Sequence, residues 1–128
     1  MILLDTHVAF WVLSDPDRLS KNARAAISDA AELGVAGITW YELAWLIDAG
    51  RIEVEPDPTT WLRDASQICA TIPLTWSIAH AAADLDRHDE FPKDPADRII
   101  YSTAVSAGIP LVTKDRRLRA FDRRVCVW

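Results

Sequence analysis

No stretch of about 18 residues or more runs free of charge or breakers, so the sequence offers no membrane span of ordinary length. The apolar opening is interrupted by Asp5 and His7 before it could serve as a signal peptide. Both absences predict a soluble, cytoplasmic protein. Cysteine is scarce: Cys69 and Cys126 lie far apart and in no metal-ligand spacing, which argues against a disulfide framework and makes them reduced packing residues. Histidine supplies no zinc set either. His7 sits beside the first strand, and the step from His80 to His88 crosses a helix end, so all three read as packing or surface residues. Basic charge is outnumbered, 14 Lys and Arg against 19 Asp and Glu for a net charge of -5. Coating nucleic acid by charge alone is thereby excluded, because such binding relies on basic side chains displacing counterions from phosphates. Internal repeats and low-complexity linkers are also missing, and 128 residues at 50% hydrophobic suit one domain spanning residues 1–128.

What is there alternates. Residues 1–4 form a short apolar run ending at Asp5, as expected of a strand buried on both faces of a parallel sheet. Ser20 caps a helix over 21–33 that Gly34 ends, and residues 35–38 read as a second strand. Thr39 opens a helix over 40–49, a further helical pattern covers 59–70, and residues 72–74 suggest a third strand. Helices follow over 75–86 and 95–107, the latter behind Asp94 and Pro95 and ahead of Gly108. Residues 109–113 and 124–128 complete the strands. Strands alternating with helices over short connections predict an α/β sandwich, a parallel sheet with helices on both faces. Ligands of such sheets bind beyond the carboxyl ends of the strands, where the strand order reverses.

Four acids point at that rim. Asp5 and Asp115 follow strands; Glu42 and Asp97 lie in first turns of helices. Each has an ordinary alternative: Thr39 and Glu42 match a capping box, Asp94 and Asp97 a helix start, Asp5 a turn, Asp115 an arginine's partner. Joint placement favours a site. Acidic oxygens without His or Cys suit a hard cation, Mg²⁺ or Mn²⁺, which with open coordination positions activates water and binds phosphate oxygens. Thr6 and Thr113 stand next to Asp5 and Asp115, where their hydroxyls can support the ligating oxygens or serve as ordinary strand residues. Asp94 either orients Arg98 or caps its helix.

Assembled, "LLDTHVAFW", "ITWYELAWL", "DPADRIIYSTAVSAGIPLVTKD" and "VCVW" resemble, in order and over nearly the whole chain, the PIN-domain nucleases and among them the VapC-type toxins. The resemblance implies a central parallel sheet of about five strands in a three-layer sandwich. It further implies a Mg²⁺- or Mn²⁺-dependent endoribonuclease that leaves a 5′-phosphate, and inhibition by a small VapB-type antitoxin. Asp5, Glu42, Asp97 and Asp115 take the family's acidic positions, with Asp94 an additional acid. The loop over 86–95 is more acidic than the subgroup's His- and Arg-rich version. RNA approach then shifts toward Arg116 and Arg117, with Arg98 a further contact; Lys114, Arg119, Arg123 and Arg124 crowd the same tail, which also reads as a solvated surface. Six tryptophans either enlarge the core or face a partner: Tyr41 and Trp45, with Phe10 and Trp11, are the expected groove for an antitoxin's amphipathic segment. Self-association as a homodimer is left open. Two other catalytic or signalling classes fit less well. A haloacid-dehalogenase phosphatase needs a second acid where His7 stands, and a receiver-like phospho-accepting module needs an acidic pair after the first strand. A catalytically silent PIN-fold binding module is the remaining alternative.

Overall fold

The computed structural model describes residues 1–128 throughout. Five strands form one parallel sheet in the order β3-β2-β1-β4-β5: β1 (Ile2–Leu4), β2 (Leu33–Ala36), β3 (Ala70–Ile72), β4 (Leu111–Val112) and β5 (Cys126–Val127). Seven α-helices connect and cover them: α1 (Thr6–Ser14), α2 (Lys21–Asp29), α3 (Gly37–Asp48), α4 (Pro58–Ile68), α5 (Trp76–Asp84), α6 (Pro95–Ala107) and α7 (Arg116–Phe121). This is the expected PIN-like sandwich. The order differs from the 2-1-3-4-5 of receiver-type sheets.

Side chains alternate across the sheet and divide the core in two. Ile2 and Leu4 join Val8 and Trp11 of α1 and Ala23 of α2, while Leu3 joins Phe91 from the loop before α6, Ile100 and Ala104 within α6, and Leu118 of α7. Complete burial of a side chain such as Leu3 or Leu4 is worth about 1.5–3 kcal/mol, so the central strand is pinned from both sides. From β1 the sheet grows first through β2 and β3, then on the opposite side through β4 and β5. The order therefore reverses between β1 and β4, and the crevice expected there lies at their carboxyl ends. Helix α6 leads straight into β4 through Gly108, whose left-handed φ of 66° closes the helix, so α6 begins on that same rim.

Several boundaries depart from the sequence reading, each for a local reason. Helix α2 stops at Asp29, and Leu33 and Gly34 pair with Ile2 and Leu3 as strand. Gly34 is thus no helix stop. A Cβ there would meet Met1 Sδ at 2.9 Å, so the glycine serves a close approach. Strand β2 ends at Ala36, and α3 starts at Gly37 with Ala36 as its N-cap. Thr39 consequently lies inside the helix, buried with an unpartnered hydroxyl, and the capping box with Glu42 does not form. Strand β3 covers 70–72 instead of 72–74, because Pro73 has no N–H with which to extend the ladder. Two helices lie where the sequence assigned none: α1, capped by Asp5, and the short α7, capped by Asp115.

The tryptophans split between the two roles considered. Trp11 is 7% exposed, Trp40 donates to Thr71 Oγ1 at 2.9 Å, and Trp61 packs on Phe10 at 5.9 Å. Trp45 and Trp76 stand 53% and 84% exposed, the one beside Tyr41 on α3 and the other opening α5. Both cysteines are free thiols. No helix is long and apolar enough to cross a membrane.

Candidate active site

Strand ends and helix starts bring five carboxylates to one cleft of about 490 Å³ at the carboxyl rim of β1 and β4: Asp5, Glu42, Asp94, Asp97 and Asp115. Thr6, His7, Trp11 and Lys114 also line it. Asp5 is fixed most tightly. Its Oδ1 accepts from the Thr6 amide at 2.8 Å, its Oδ2 accepts from Thr113 Oγ1 at 2.6 Å, and its own amide donates to the Val112 carbonyl at 3.0 Å. Thr113 in turn accepts from the Asp115 amide at 3.0 Å, which links the ends of β1 and β4. Thr6 Oγ1 donates to Glu42 Oε1 at 2.5 Å, so the glutamate is held by α1 and not by a cap of its own helix.

Asp115 Oδ1 accepts from the amides of Arg117 and Leu118 at 2.7 and 3.0 Å, which leaves the other oxygen for the cleft. Asp94 caps α6 through the Ala96 amide at 2.8 Å. Of the two roles offered for Asp94, the cap is the one with a hydrogen bond. Arg98 turns away to Asp86 at 2.9 Å and to the Pro92 carbonyl at 3.1 Å, tying down the loop before α6. Asp97 accepts from no neighbour. Burial pushes its carboxyl up to about 7, and the negative charges of Asp5, Asp94, Asp115 and Glu42 push the same way. Burial also raises Asp5, against the opposing hydrogen bonds from Thr113 and Thr6, and raises Glu42 against the bond from Thr6.

Together the acids give the cleft a negative potential. Five carboxylates dominate the cleft, with His7 its one imidazole, a donor set rich in oxygen that fits a hard cation such as Mg²⁺ or Mn²⁺. No three acids close on one point as a ready cage.

The remaining sequence candidates fall elsewhere. Tyr41 and Trp45 border a separate groove of about 360 Å³ with Ile38, Pro95, Ala96 and Ile99, reached also by Glu42 and Asp94. Trp11 lines the acidic cleft instead of this groove, and Phe10 is partly buried against the core on α1. Arg116 opens α7 and faces a third cleft, and Arg117 stands exposed beside it. Lys114 belongs to the basic tail in sequence and is not among the expected site residues; adjacency to Asp115 is its only signal there. Its Nζ lies 5.5 Å over the Trp11 ring, with Arg18 over the same ring at 5.1 Å.

A parallel sheet whose reversal point carries this acidic cleft is the architecture of a PIN domain, and the family's profile matches residues 2–124: the chain belongs to the PIN-domain family. Within it, the chain is 47% identical over 129 aligned positions to ribonuclease VapC22 of Mycobacterium tuberculosis, covering 99% of this chain and 98% of that protein. Its fold matches a toxin–antitoxin complex from Klebsiella pneumoniae at a TM-score of 0.72 and 20% identity, over 100% of this chain and 97% of the other. The DNA-bound VapBC2 of Rickettsia felis superposes equally well, at a TM-score of 0.72 and 14% identity over 98% and 97% of the two chains.

Proposed function

We propose that the chain is the endoribonuclease toxin of a toxin–antitoxin pair, working in the cytoplasm as one PIN unit over residues 1–128 and hydrolysing RNA phosphodiesters with Mg²⁺ or Mn²⁺. The observation that carries this reading is the gathering of Asp5, Glu42, Asp97 and Asp115 in one cleft of a PIN domain. Full-length similarity to a protein named a ribonuclease supports the activity. Asp5, Glu42 and Asp97 would hold the cation directly or through water, with Asp115 completing the site. When bound, that ion supplies charge to the attacked phosphate and lowers the pKa of coordinated water.

The protein's own residues do the rest. Thr113 and the Thr6 amide fix both oxygens of Asp5, and the Thr6 hydroxyl fixes Glu42, so two carboxylates need no reorganisation on binding. Asp97 gives up its proton to enter the site as a full charge. Water adds to phosphorus, the bond to the 3′ oxygen breaks, and a 5′-phosphate and a 3′-hydroxyl remain. The partner is a small VapB-type antitoxin, and the exposed pair Tyr41 and Trp45 offers the kind of aromatic anchor that an amphipathic segment covers.

Incubation with single-stranded RNA tests the activity: cleavage with Mg²⁺ or Mn²⁺, none in EDTA, and 5′-phosphate at the new ends. Undiminished cutting in EDTA would remove the metal from the mechanism; no cutting in either condition would remove the nuclease. Stability supplies a second check. A carboxyl whose pKa is raised on folding favours the folded state most below its ordinary value of 3.8, and this contribution is lost as pH rises through about 7. Asp5 and Glu42 act in the same sense. The melting temperature of the metal-free protein is therefore expected to fall between pH 4 and 8, and millimolar Mg²⁺ to restore most of the loss at the upper end. The lowered carboxyls of Asp57 and Asp122 act below this window. A flat profile, or one that Mg²⁺ leaves unmoved, contradicts the assignment.

A further inference from the structure

We propose that the cleft between α7 and β5, walled by Arg116, Arg119, Arg123 and Trp128, holds a backbone phosphate of the RNA strand beside the bond being cut. This rests on the ribonuclease reading above and adds a binding site to it. The cleft measures about 380 Å³. None of its three arginines pairs with a carboxylate; the ion pairs of the protein engage Arg24, Arg63, Arg87, Arg98, Lys93 and His80 instead. In a chain of net charge -5, three unpaired guanidinium groups in one concavity stand out as an anion site.

Arg119 adds an independent observation. Its Nη2 donates to the Lys114 carbonyl at 3.4 Å, while its Nε is buried with no acceptor at all. A buried N–H without a partner is costly, so a small rotation of the Arg119 side chain that brings Nε to a phosphate oxygen in the cleft relieves that cost. Cys126, which also lines the cleft, brings no competing charge, because burial pushes its thiol up to about 12.

Position selects RNA as the occupant over an acidic peptide. Trp128, which lines this cleft, meets Trp11 at 5.9 Å with the rings tilted by 53°, and Trp11 lines the acidic cleft with Lys114, so the two cavities adjoin across this pair of rings. The carboxylates that suit a cation repel every other phosphate of a bound strand, and a strand can stay only where neighbouring cations offset that repulsion. Trp128 also presents a partly exposed indole beside the arginines, a surface on which a base stacks and a carboxylate gains nothing.

Anisotropy of a labelled single-stranded RNA of mixed sequence, titrated with the full chain in EDTA, tests binding apart from cleavage. Arg119→Gln is expected to raise Kd about ten-fold and to flatten the salt dependence, by about 0.7 in the slope of log K against log salt for each phosphate no longer neutralised. Arg116→Gln combined with Arg123→Gln, both on exposed positions, should do the same with an unchanged melting temperature. Arg119→Lys keeps the charge but lacks Nε and should recover affinity only in part. In Mg²⁺ these variants should raise KM for RNA cleavage with kcat within about three-fold of the parent. Unchanged Kd and slope in both glutamine variants overturn the proposal, as does poly-L-glutamate displacing the RNA with an affinity that the substitutions weaken equally. Normal RNA binding through this cleft in a protein that cuts no RNA would instead sink the nuclease reading alone.

Discussion

Asp97→Asn is expected to lower RNA cleavage more than about a hundred-fold while raising the melting temperature of the metal-free protein at pH 8. The first effect follows from the assigned role: loss of groups that merely orient metal ligands costs about 10–100-fold, and loss of a ligand charge costs more. The second follows from surroundings. Asp97 accepts no hydrogen bond, sits among four other carboxylates and holds its proton up to about 7. At pH 8 it is a half-buried anion among other anions, and asparagine keeps the shape without the charge. Relief of about 1 kcal/mol corresponds to a rise on the order of 4 °C at this chain length. Opposite signs for activity and stability identify a residue kept for chemistry. Parallel loss of both would reassign Asp97 to the framework. Thermal melts in EDTA at pH 5 and pH 8 sharpen the distinction, because the gain should vanish where the parent is protonated.

Phe91→Ala is expected to cost about 3–5 kcal/mol of folding stability, the range for truncating a fully buried phenylalanine. Phe91 has no exposed surface and meets the rings of Phe121 at 4.9 Å and Tyr101 at 5.1 Å, near a right angle with the former. Such pairs add about 0.5–1.5 kcal/mol beyond burial. The ring belongs to the loop before α6, so it holds down the connection that delivers Asp94 and Asp97 to the rim. Chemical denaturation should show the loss. Cleavage measured well below the lowered melting temperature should stay within a few-fold of the parent, since no acid has been removed. A loss below about 1 kcal/mol would mean that the neighbouring aromatics close the cavity.

The contrast between these two residues shows what is legible in the sequence. The place of Asp97 on the rim is legible because it is geometric: a helix that starts on the carboxyl rim of a parallel sheet presents its first turn there. Asp5 and Asp115 are legible for the same reason, each following an apolar run, and the family resemblance adds their order along the chain. Phe91 lies in a loop, where neither helical nor strand periodicity marks an inward position. Helix α1 escapes a reading by pattern because its apolar residues are nearly continuous with those of β1, and α7 because six residues dominated by arginine show no clear face. The Thr39 and Glu42 spacing matches a capping box only in sequence; pairing of β2 with β1 moves the helix start to Gly37 and leaves Glu42 free to meet Thr6. Arg98 finds its acid twelve residues upstream across a loop, a distance at which spacing carries no information.

The clasp between Thr113 and Asp5 spans 108 positions. Synthesis proceeds from the N-terminus, so a chain still emerging has its first acid early and the hydroxyl that holds its second oxygen late. Until the closing segment arrives, Asp5 has no hydroxyl to steady it and Asp115 is missing altogether. The cleft is therefore among the last parts of the fold to be completed, and no fragment that stops short of Asp115 can contain it.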